Sequence, residues 1–398
     1  MNRIDFERGQ YLLLPLTSLV AMAAFFQTSA NGSDMTRFLI PWMDAVRAGG
    51  LSSLSGEFSN YTPPYVYLMY LASWLVPLVG TVAVIKLICL PFVLIMSVGI
   101  HGIVLAASGS RTRALAAACA VWVLPTLFVN AFYWGQADVI YGSALIWFVL
   151  LAMKEKPAWA AAAFGIALAL KFQAMFLSPV LLYLLLAGRM RPWHLLLIPA
   201  AYAAMMIPAV LAGRPWSECL TVYFNQYQSV STLSANAPNP WRVAKKFIGM
   251  EAGVVLGLAA GLAAGLAVAL TSLRLKAGPV TLLLVAAVSA AVLPYVLPKM
   301  HDRFFFAADV LSFALAFVLT RYWLAGALIQ LGSLLAYMTY LGVTVRGSLA
   351  AVVPMSLGLG VLMLALWEAH RRSDGSWREG PRGLSVRRAA SAEPRSAS

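Results

Sequence analysis

The chain contains 398 residues, of which 61% are hydrophobic and only 11% are charged. Soluble domains carry about 25% charged residues, so this composition excludes an ordinary soluble protein and predicts a polytopic membrane protein. The formal net charge of +14 indicates basic loops held against anionic lipid and argues against a nucleic-acid partner.

The first apolar run covers residues 11–26 and follows a basic segment that contains Arg3 and Arg8. Positively charged flanks tend to stay in the cytoplasm, so we expect an uncleaved span that delivers residue 31 to the opposite face. Later basic segments predict the same orientation, with both termini in the cytoplasm.

The first long polar segment, residues 31–64, carries three carboxylates: Asp34, Asp44 and Glu57. Pro41 and the two glycines at 49–50 bound a predicted short surface helix, on which Asp44 and Arg47 would pair at i,i+3 spacing. Asp34 lies in a Gly-Ser turn before this helix. The local sequence leaves it three roles: a helix N-cap, a solvated loop acid or a catalytic base.

Two apolar stretches follow, residues 65–79 and 82–107, before the basic segment at residues 108–113. If both stretches crossed the membrane, that basic segment would lie on the wrong face. We predict that residues 65–79 do not cross, because the stretch is short, follows two prolines and is rich in tyrosine and tryptophan, as interfacial segments are.

The remaining apolar runs predict further spans and, with the first, give about twelve transmembrane helices in an all-α fold. These runs are residues 82–107, 114–131, 139–153, 158–170, 174–187, 195–212, 252–272, 280–296, 307–319, 323–342 and 348–367. We expect residues 1–367 to form one transmembrane domain and the basic tail at 368–398 to be disordered and cytoplasmic. External loops are predicted at residues 29–80, 132–138, 213–250 and 298–306.

Two features place polar groups at the external ends of apolar runs. The sequence YWGQAD at residues 133–138 brings Trp134, Gln136 and Asp138 to the start of a predicted span. Lys171 interrupts the apolar run at residues 158–187, where a charge at the bilayer centre costs about 2.5–3.5 kcal/mol. Lys171 must therefore face a polar cavity or extend its ammonium to the interface.

The sequence PKMHDR at residues 298–303 is the densest group of ionisable residues. Arg303 can bind a phosphate through two hydrogen bonds, while Lys299 and His301 would add positive charge and further donors. The loop at residues 213–249 alternates aromatic and amide side chains, which suits either a sugar-binding surface or an ordinary surface cap. The three cysteines show neither a disulfide framework nor metal-ligand spacing, so we predict no metal and no cofactor.

Five strings together resemble the bacterial mannosyltransferases related to the enzyme that adds the second mannose to GPI anchors. They are GSDMTRFLIPW with SNYTPPYVYL, NAFYWGQAD, GIALALKFQAMFLSPVLLYLL and LPKMHDRFFFAADVL. That family belongs to the C-type (GT-C) membrane glycosyltransferase superfamily, and the resemblance covers roughly residues 31–311. This sequence has Asp302 where many relatives have glutamate, and it lacks the proline that commonly follows the lysine at 171.

The resemblance implies an inverting transfer of a sugar, often mannose, from a polyprenyl phosphate donor to an acceptor outside the cytoplasm. The acceptor is a lipid, a glycan or a protein. The enzyme would lie in the bacterial inner membrane with its active site on the extracytoplasmic face. Carried over residue by residue, the resemblance makes Asp34 the catalytic base. Donor phosphate binding falls to Lys299, His301, Arg303 and Lys171, and substrate positioning falls to Gln136, Asp138, Trp134 and Tyr61.

The residues themselves agree with this chemistry. Direct displacement needs one carboxylate to take the acceptor proton and a positive environment for the departing phosphate. Two other classes stay open: a membrane transporter or lipid flippase, which would also use intramembrane cations, and a lipid-linked glycan polymerase or ligase with a diphosphate donor. The first would favour internal repeats and midplane sites, and the sequence shows no convincing repeat.

Overall fold

The apolar runs of the chain form helices, because inside a bilayer a helix satisfies all of its own backbone groups. A computed structural model describes residues 11–26, 28, 34–343 and 349–371. In this part of the chain, six helices are long and apolar enough to cross a membrane. They are Thr81–Ser108, Arg111–Trp134, Pro192–Leu211, Met250–Ser272, Pro279–Val296 and Val352–Arg371. The predicted all-α class is confirmed.

Shorter apolar helices coincide in sequence with other predicted spans. They are Leu13–Ala24, Asp138–Met153, Pro157–Leu170, Phe172–Leu186 and Phe306–Val318, and the helix Trp323–Tyr340 follows the last of them. Of the six long helices, Pro279–Val296 is the most buried and Pro192–Leu211 the least. The first therefore runs through the protein core, and the second presents its apolar side chains outward.

Several of these helices change helix type or are divided along their length. Arg111–Trp134 consists of the α-helix Arg111–Ala120, a 3-10 turn at Val121–Val123, a short helix at Pro125–Leu127 and a π-helix at Phe128–Trp134. Phe172–Leu186 begins as a 3-10 helix and becomes α-helical at Ser178–Leu186. Thr81–Ser108 is divided into Thr81–Leu87 and Leu90–Ser108. Pro192–Leu211 is divided into a 3-10 turn, Pro192–Leu196, and the α-helix Leu197–Leu211.

The first loop folds as short helices. These are a π-helix at Met35–Leu39, an α-helix at Ile40–Gly49 and a 3-10 helix at Gly50–Ser55. The predicted surface helix is thus confirmed, but the predicted pairing on it is wrong. Asp44 and Arg47 are both exposed, and the described residues include no ion pair between them. Water screens such a pair so strongly that it contributes little.

The stretch predicted not to cross the membrane forms two helices, Pro63–Ser73 and Val76–Val79. Each is shorter than the ~20 residues of a straight span, and the interfacial position of this stretch stays a prediction. The last helix continues to Arg371, a few residues past the predicted start of the tail. The rest of the predicted tail lies outside the described residues.

The predicted external loop at residues 213–250 has its own structure: the helix Trp216–Ser229, the strand Ser234–Ala235 and the helix Trp241–Ala244. The strand pairs in parallel with Met300–His301. The Trp241 indole donates to the Val296 carbonyl over 2.7 Å. These contacts favour the surface-cap interpretation of the loop, and they fix the PKMHDR segment in place.

Candidate functional site

Asp34 meets residues from three distant parts of the chain. It precedes the π-helix Met35–Leu39, but its side chain caps no backbone N–H there. One carboxylate oxygen, Oδ2, accepts from Arg303 Nη1 at 2.6 Å and from Gln136 Nε2 at 3.0 Å. The other, Oδ1, accepts from the Tyr340 hydroxyl at 2.6 Å. The side chain is therefore neither a helix cap nor a solvated acid.

A second carboxylate, Asp138, lies behind this one. Lys171 Nζ contacts Asp138 Oδ1 at 2.5 Å, and Asn130 Nδ2 donates to Oδ2 at 2.8 Å. Arg303 Nε lies 3.8 Å from Asp138 Oδ2, so its guanidinium stands between the two aspartates. The Lys171 and Asp138 side chains are only 8% and 1% exposed. Lys171 thus neutralises a buried carboxylate, where the resemblance implied a phosphate ligand.

Two local breaks in helical structure bring these side chains together. Lys171 is extended (φ −153°, ψ 140°) and ends the helix Pro157–Leu170, which brings its ammonium to Asp138. Gly135 is left-handed (φ 79°, ψ 28°), and a Cβ there would lie 2.4 Å from Cε of Met35. Glycine at 135 therefore lets the chain turn closely against the residue that follows Asp34.

Aromatic rings surround the cations of the site. Trp134 stacks on Tyr340 with ring centroids 4.6 Å apart, and the Arg303 guanidinium lies 5.4 Å from the Trp134 ring. The Tyr61 hydroxyl donates to Gln136 Oε1 at 3.4 Å, and the Lys171 ammonium lies 5.0 Å from the Tyr61 ring. All four positioning residues, Gln136, Asp138, Trp134 and Tyr61, therefore adjoin the two aspartates or their cations.

The electrostatics of Asp34 follow from these contacts. Burial raises the pKa of its carboxyl, but the charge of Arg303 and the hydrogen bonds from Tyr340 and Arg303 outweigh burial, so the pKa lies below its usual value. Asp34 is thus ionised at neutral pH and can accept a proton. Its basicity is weakened for as long as Arg303 remains bound to it.

The other residues of the PKMHDR segment behave differently. Burial, with a smaller contribution from Arg303, lowers the pKa of His301 to about 4. His301 is therefore uncharged at neutral pH, contrary to the expectation that it adds positive charge. Burial raises the pKa of Asp302 to about 7. Lys299 Nζ donates to the Tyr227 carbonyl at 3.1 Å and lies 4.0 Å from its ring, so it contacts the long loop.

Buried hydrogen-bond donors without partners lie beside the side chains around Asp34 and Asp138. Within the described residues, Arg303 Nε, Trp134 Nε1 and the hydroxyls of Tyr141 and Tyr337 have no hydrogen-bond partner. Because leaving a buried donor unpaired costs about 1–3 kcal/mol, such groups are common where a ligand binds. The Arg303 guanidinium contacts the carboxylates of both Asp34 and Asp138. The two carboxylates therefore do not form an open cation site.

Sequence reasoning missed Tyr340 altogether. It ends the helix Trp323–Tyr340, where a tyrosine looks like any member of an interfacial aromatic belt. Sequence reasoning also missed Lys86, a fully buried lysine whose ammonium donates to the carbonyls of Phe25 and Thr28 after the first helix. The sequence does contain a signal for this site, because Lys86 is a charged residue within the apolar run 82–107.

No protein-family model matches the chain, and no curated protein matches it. The geometry of Asp34, Asp138 and Arg303 is therefore the basis on which a function is proposed.

Proposed function

We propose that the protein is an inverting glycosyltransferase. In this proposal it moves a sugar, first of all mannose, from a polyprenyl phosphate to a lipid, glycan or protein acceptor. About twelve spans in a GT-C-like arrangement would hold the site on the extracytoplasmic face of a bacterial inner membrane. The observation that carries the proposal is the 2.6 Å contact between Arg303 and Asp34, residues separated by 269 positions in the chain.

The reaction needs one base and one cation. The acceptor hydroxyl oxygen attacks the anomeric carbon on the face opposite the phosphate, and the bond from that carbon to the phosphate oxygen breaks. Polyprenyl phosphate leaves with the electron pair, and Asp34 takes the acceptor proton. Arg303 stabilises the charge that develops on the departing phosphate. The phosphate is a good leaving group without protonation, so the mechanism requires no general acid.

Arg303 links donor binding to the strength of the base. Before the donor binds, Arg303 holds Asp34 as a weak base through direct contact. A donor phosphate competes for the same guanidinium, which can bind it through two hydrogen bonds. As Arg303 turns towards the phosphate, its attraction to Asp34 falls and the pKa of Asp34 rises. The base thus becomes stronger when a donor is present.

The remaining residues position these two groups. Gln136 and Tyr340 donate to different oxygens of Asp34, so they fix the direction in which its carboxylate faces. The Asp138–Lys171 pair holds a fixed negative charge beside Arg303. The half-buried Tyr61 offers an aromatic ring next to these charges, where a sugar ring could pack, whereas the buried Trp134 holds Arg303 and Tyr340 in position.

The test is to incubate the purified protein, together with a bacterial membrane extract as the source of lipid and glycan acceptors, with polyprenyl phosphate mannose and, separately, with a lipid-diphosphate glycan. We expect the first to be consumed and polyprenyl phosphate to be released. Consumption of only the diphosphate donor would replace the proposal with a polymerase or ligase. If neither donor is consumed and a labelled lipid instead crosses reconstituted vesicles in a protein-dependent manner, the protein is a flippase.

A further inference from the structure

Four cations lie at or beside the short segment 232–236 of the long loop. The Arg242 and Lys245 side chains contact this segment, Lys246 follows Lys245 in the chain, and the backbone of Lys299 is hydrogen-bonded to Leu233. We call Arg242, Lys245, Lys246 and Lys299 the loop cation cluster. Among the described residues, none of these four side chains is hydrogen-bonded or ion-paired to Asp34 or Asp138. Lys299 contacts Tyr227, whereas Arg303, on the same segment, contacts Asp34. The two ends of PKMHDR therefore serve different surfaces.

Backbone carbonyls hold the cluster in place. Lys245 Nζ donates to the Ser234 carbonyl at 2.7 Å, and Arg242 Nη1 donates to the Asn236 carbonyl at 2.9 Å. The backbone N–H of Lys299 donates to the Leu233 carbonyl at 2.8 Å. The Ser234 and Asn236 carbonyls fix the positions of the Lys245 and Arg242 side chains but carry no net charge.

The positive charge of the cluster is left largely uncompensated. Among the ion pairs between described residues, none involves a member of the cluster. The buried Asp302 attracts Arg242, and Glu251 is the nearest acid along the chain after Lys246. Burial, followed by repulsion from Arg242 and Lys246, lowers the pKa of Lys245, so these cations are close enough to repel one another.

The cluster lies at the end of two helices long enough to cross a membrane. Met250–Ser272 begins four residues after Lys246, and Trp241 is hydrogen-bonded to Val296, the last residue of Pro279–Val296. Between the lysines and the first of these helices, the Phe247 side chain is 83% exposed. Cations beside an exposed aromatic ring at a helix end are typical of a segment at the bilayer interface.

We propose that the loop cation cluster binds the phosphate headgroup of an anionic membrane lipid, with the Phe247 ring in contact with its acyl chains. Charge complementarity carries this assignment, because several cations close together attract an anionic lipid surface and neutral lipids offer no such gain. The lipid headgroup would also relieve the repulsion within the cluster. This inference does not depend on the proposed transferase activity, and it applies whichever face of the membrane the cluster occupies.

Native mass spectrometry of the full chain with bound phosphatidylglycerol or phosphatidylcholine tests the proposal. Lys245→Gln/Lys246→Gln should retain at least about tenfold less phosphatidylglycerol, since each cation near an anionic surface contributes about fivefold. Retention of phosphatidylcholine should not change. The matched control is Lys154→Gln/Lys156→Gln, which removes two exposed lysines from a different loop and should retain clearly more phosphatidylglycerol than Lys245→Gln/Lys246→Gln.

A charge-preserving variant keeps the test decisive if the glutamine pair folds poorly. Lys245→Arg/Lys246→Arg should bind phosphatidylglycerol normally, and added salt should weaken that binding. Equal losses in the glutamine and arginine pairs, or equal losses in the 154/156 control, would overturn the proposal. Displacement of phosphatidylglycerol by millimolar inorganic phosphate would also overturn it, because the site would then recognise free phosphate.

Discussion

Asp34 and Asp138 contact the same cation, Arg303, but they differ in how far their side chains are buried. The Asp138 side chain is 1% exposed, and Lys171 and Asn130 bind it from inside the protein. The Asp34 side chain is 15% exposed and belongs to the first loop. A base must reach a substrate hydroxyl before it can take the proton. Proton transfer therefore suits Asp34, whereas Asp138 suits a fixed charge that orients the cations.

The charges around Asp34 determine how this site could accommodate a phosphate. Asp34 and Asp138 carry two negative charges, and Arg303 and Lys171 carry two positive ones, so the four side chains are balanced without a substrate. A bound donor phosphate adds negative charge to a poorly solvated site, where such an imbalance is costly. In the proposed reaction, Asp34 becomes neutral when it takes the acceptor proton, which relieves the imbalance as the product forms.

The largest effect is expected from removing the charge of Asp34. Asp34→Asn keeps the shape of the side chain but cannot accept the proton, so sugar transfer should fall by about 10²–10⁴-fold. The measurement is turnover of polyprenyl phosphate mannose by protein whose thermal unfolding shows that it is folded. Asp44→Asn is the matched control: this exposed residue of the same loop should retain full activity. Normal turnover by Asp34→Asn would remove Asp34 from the mechanism.

The role of Asp138 is tested through stability. Lys171→Met leaves a buried carboxylate without its closest cation, and breaking a buried pair costs about 3–5 kcal/mol. The midpoint of thermal unfolding in detergent should fall accordingly. Lys171→Met/Asp138→Asn removes both charges and should recover much of the loss. If the single variant is as stable as the unmodified chain, the pair does not hold this part of the protein together.

The turn at Gly135 is the next test of how Asp34 is placed. Gly135→Ala places a side chain in a left-handed conformation, which costs about 1–2 kcal/mol, and it pushes against Met35 beside Asp34. Gly109 is the matched control, because it is also left-handed (φ 68°) but a Cβ there meets nothing within 4 Å. Gly135→Ala should lose at least as much stability as Gly109→Ala in thermal unfolding, and only Gly135→Ala should lose activity. Equal activities would mean that the turn does not place Asp34.

Some of this arrangement could be predicted from the sequence, and the reasons differ from residue to residue. The apolar runs predicted the helices, and the interruption at Lys171 predicted a polar environment for that lysine. Its partner Asp138 lies 33 residues away along the chain, and no local sequence pattern predicts a contact over that separation. The loss of charge on His301 depends on its burial, beside a strand that comes from the long loop. Tyr340 was beyond prediction because its contact with Asp34 joins positions 306 residues apart.

The smallest expected effect concerns Tyr340, whose hydroxyl binds the oxygen of Asp34 that Arg303 leaves free. A hydrogen bond to an ionised carboxylate stabilises the charged form, so this bond helps to hold the pKa of Asp34 low. Tyr340→Phe removes the bond and keeps the ring that stacks on Trp134. The base becomes stronger, but its carboxylate loses one of the side chains that fix its direction, so the maximal rate should still fall by about tenfold through poorer positioning.

The pH dependence of Tyr340→Phe separates a role at Asp34 from a merely structural one. A catalytic base is active only when deprotonated, so activity is lost as the pH falls through the pKa of Asp34. Without the Tyr340 hydroxyl that pKa rises, and the acid limb of the rate profile should move to higher pH. Tyr337→Phe is the control on the same helix, because the Tyr337 hydroxyl has no partner among the described residues and its removal should leave the limb in place. If both variants leave the acid limb where it is, Tyr340 packs against Trp134 and does not tune Asp34.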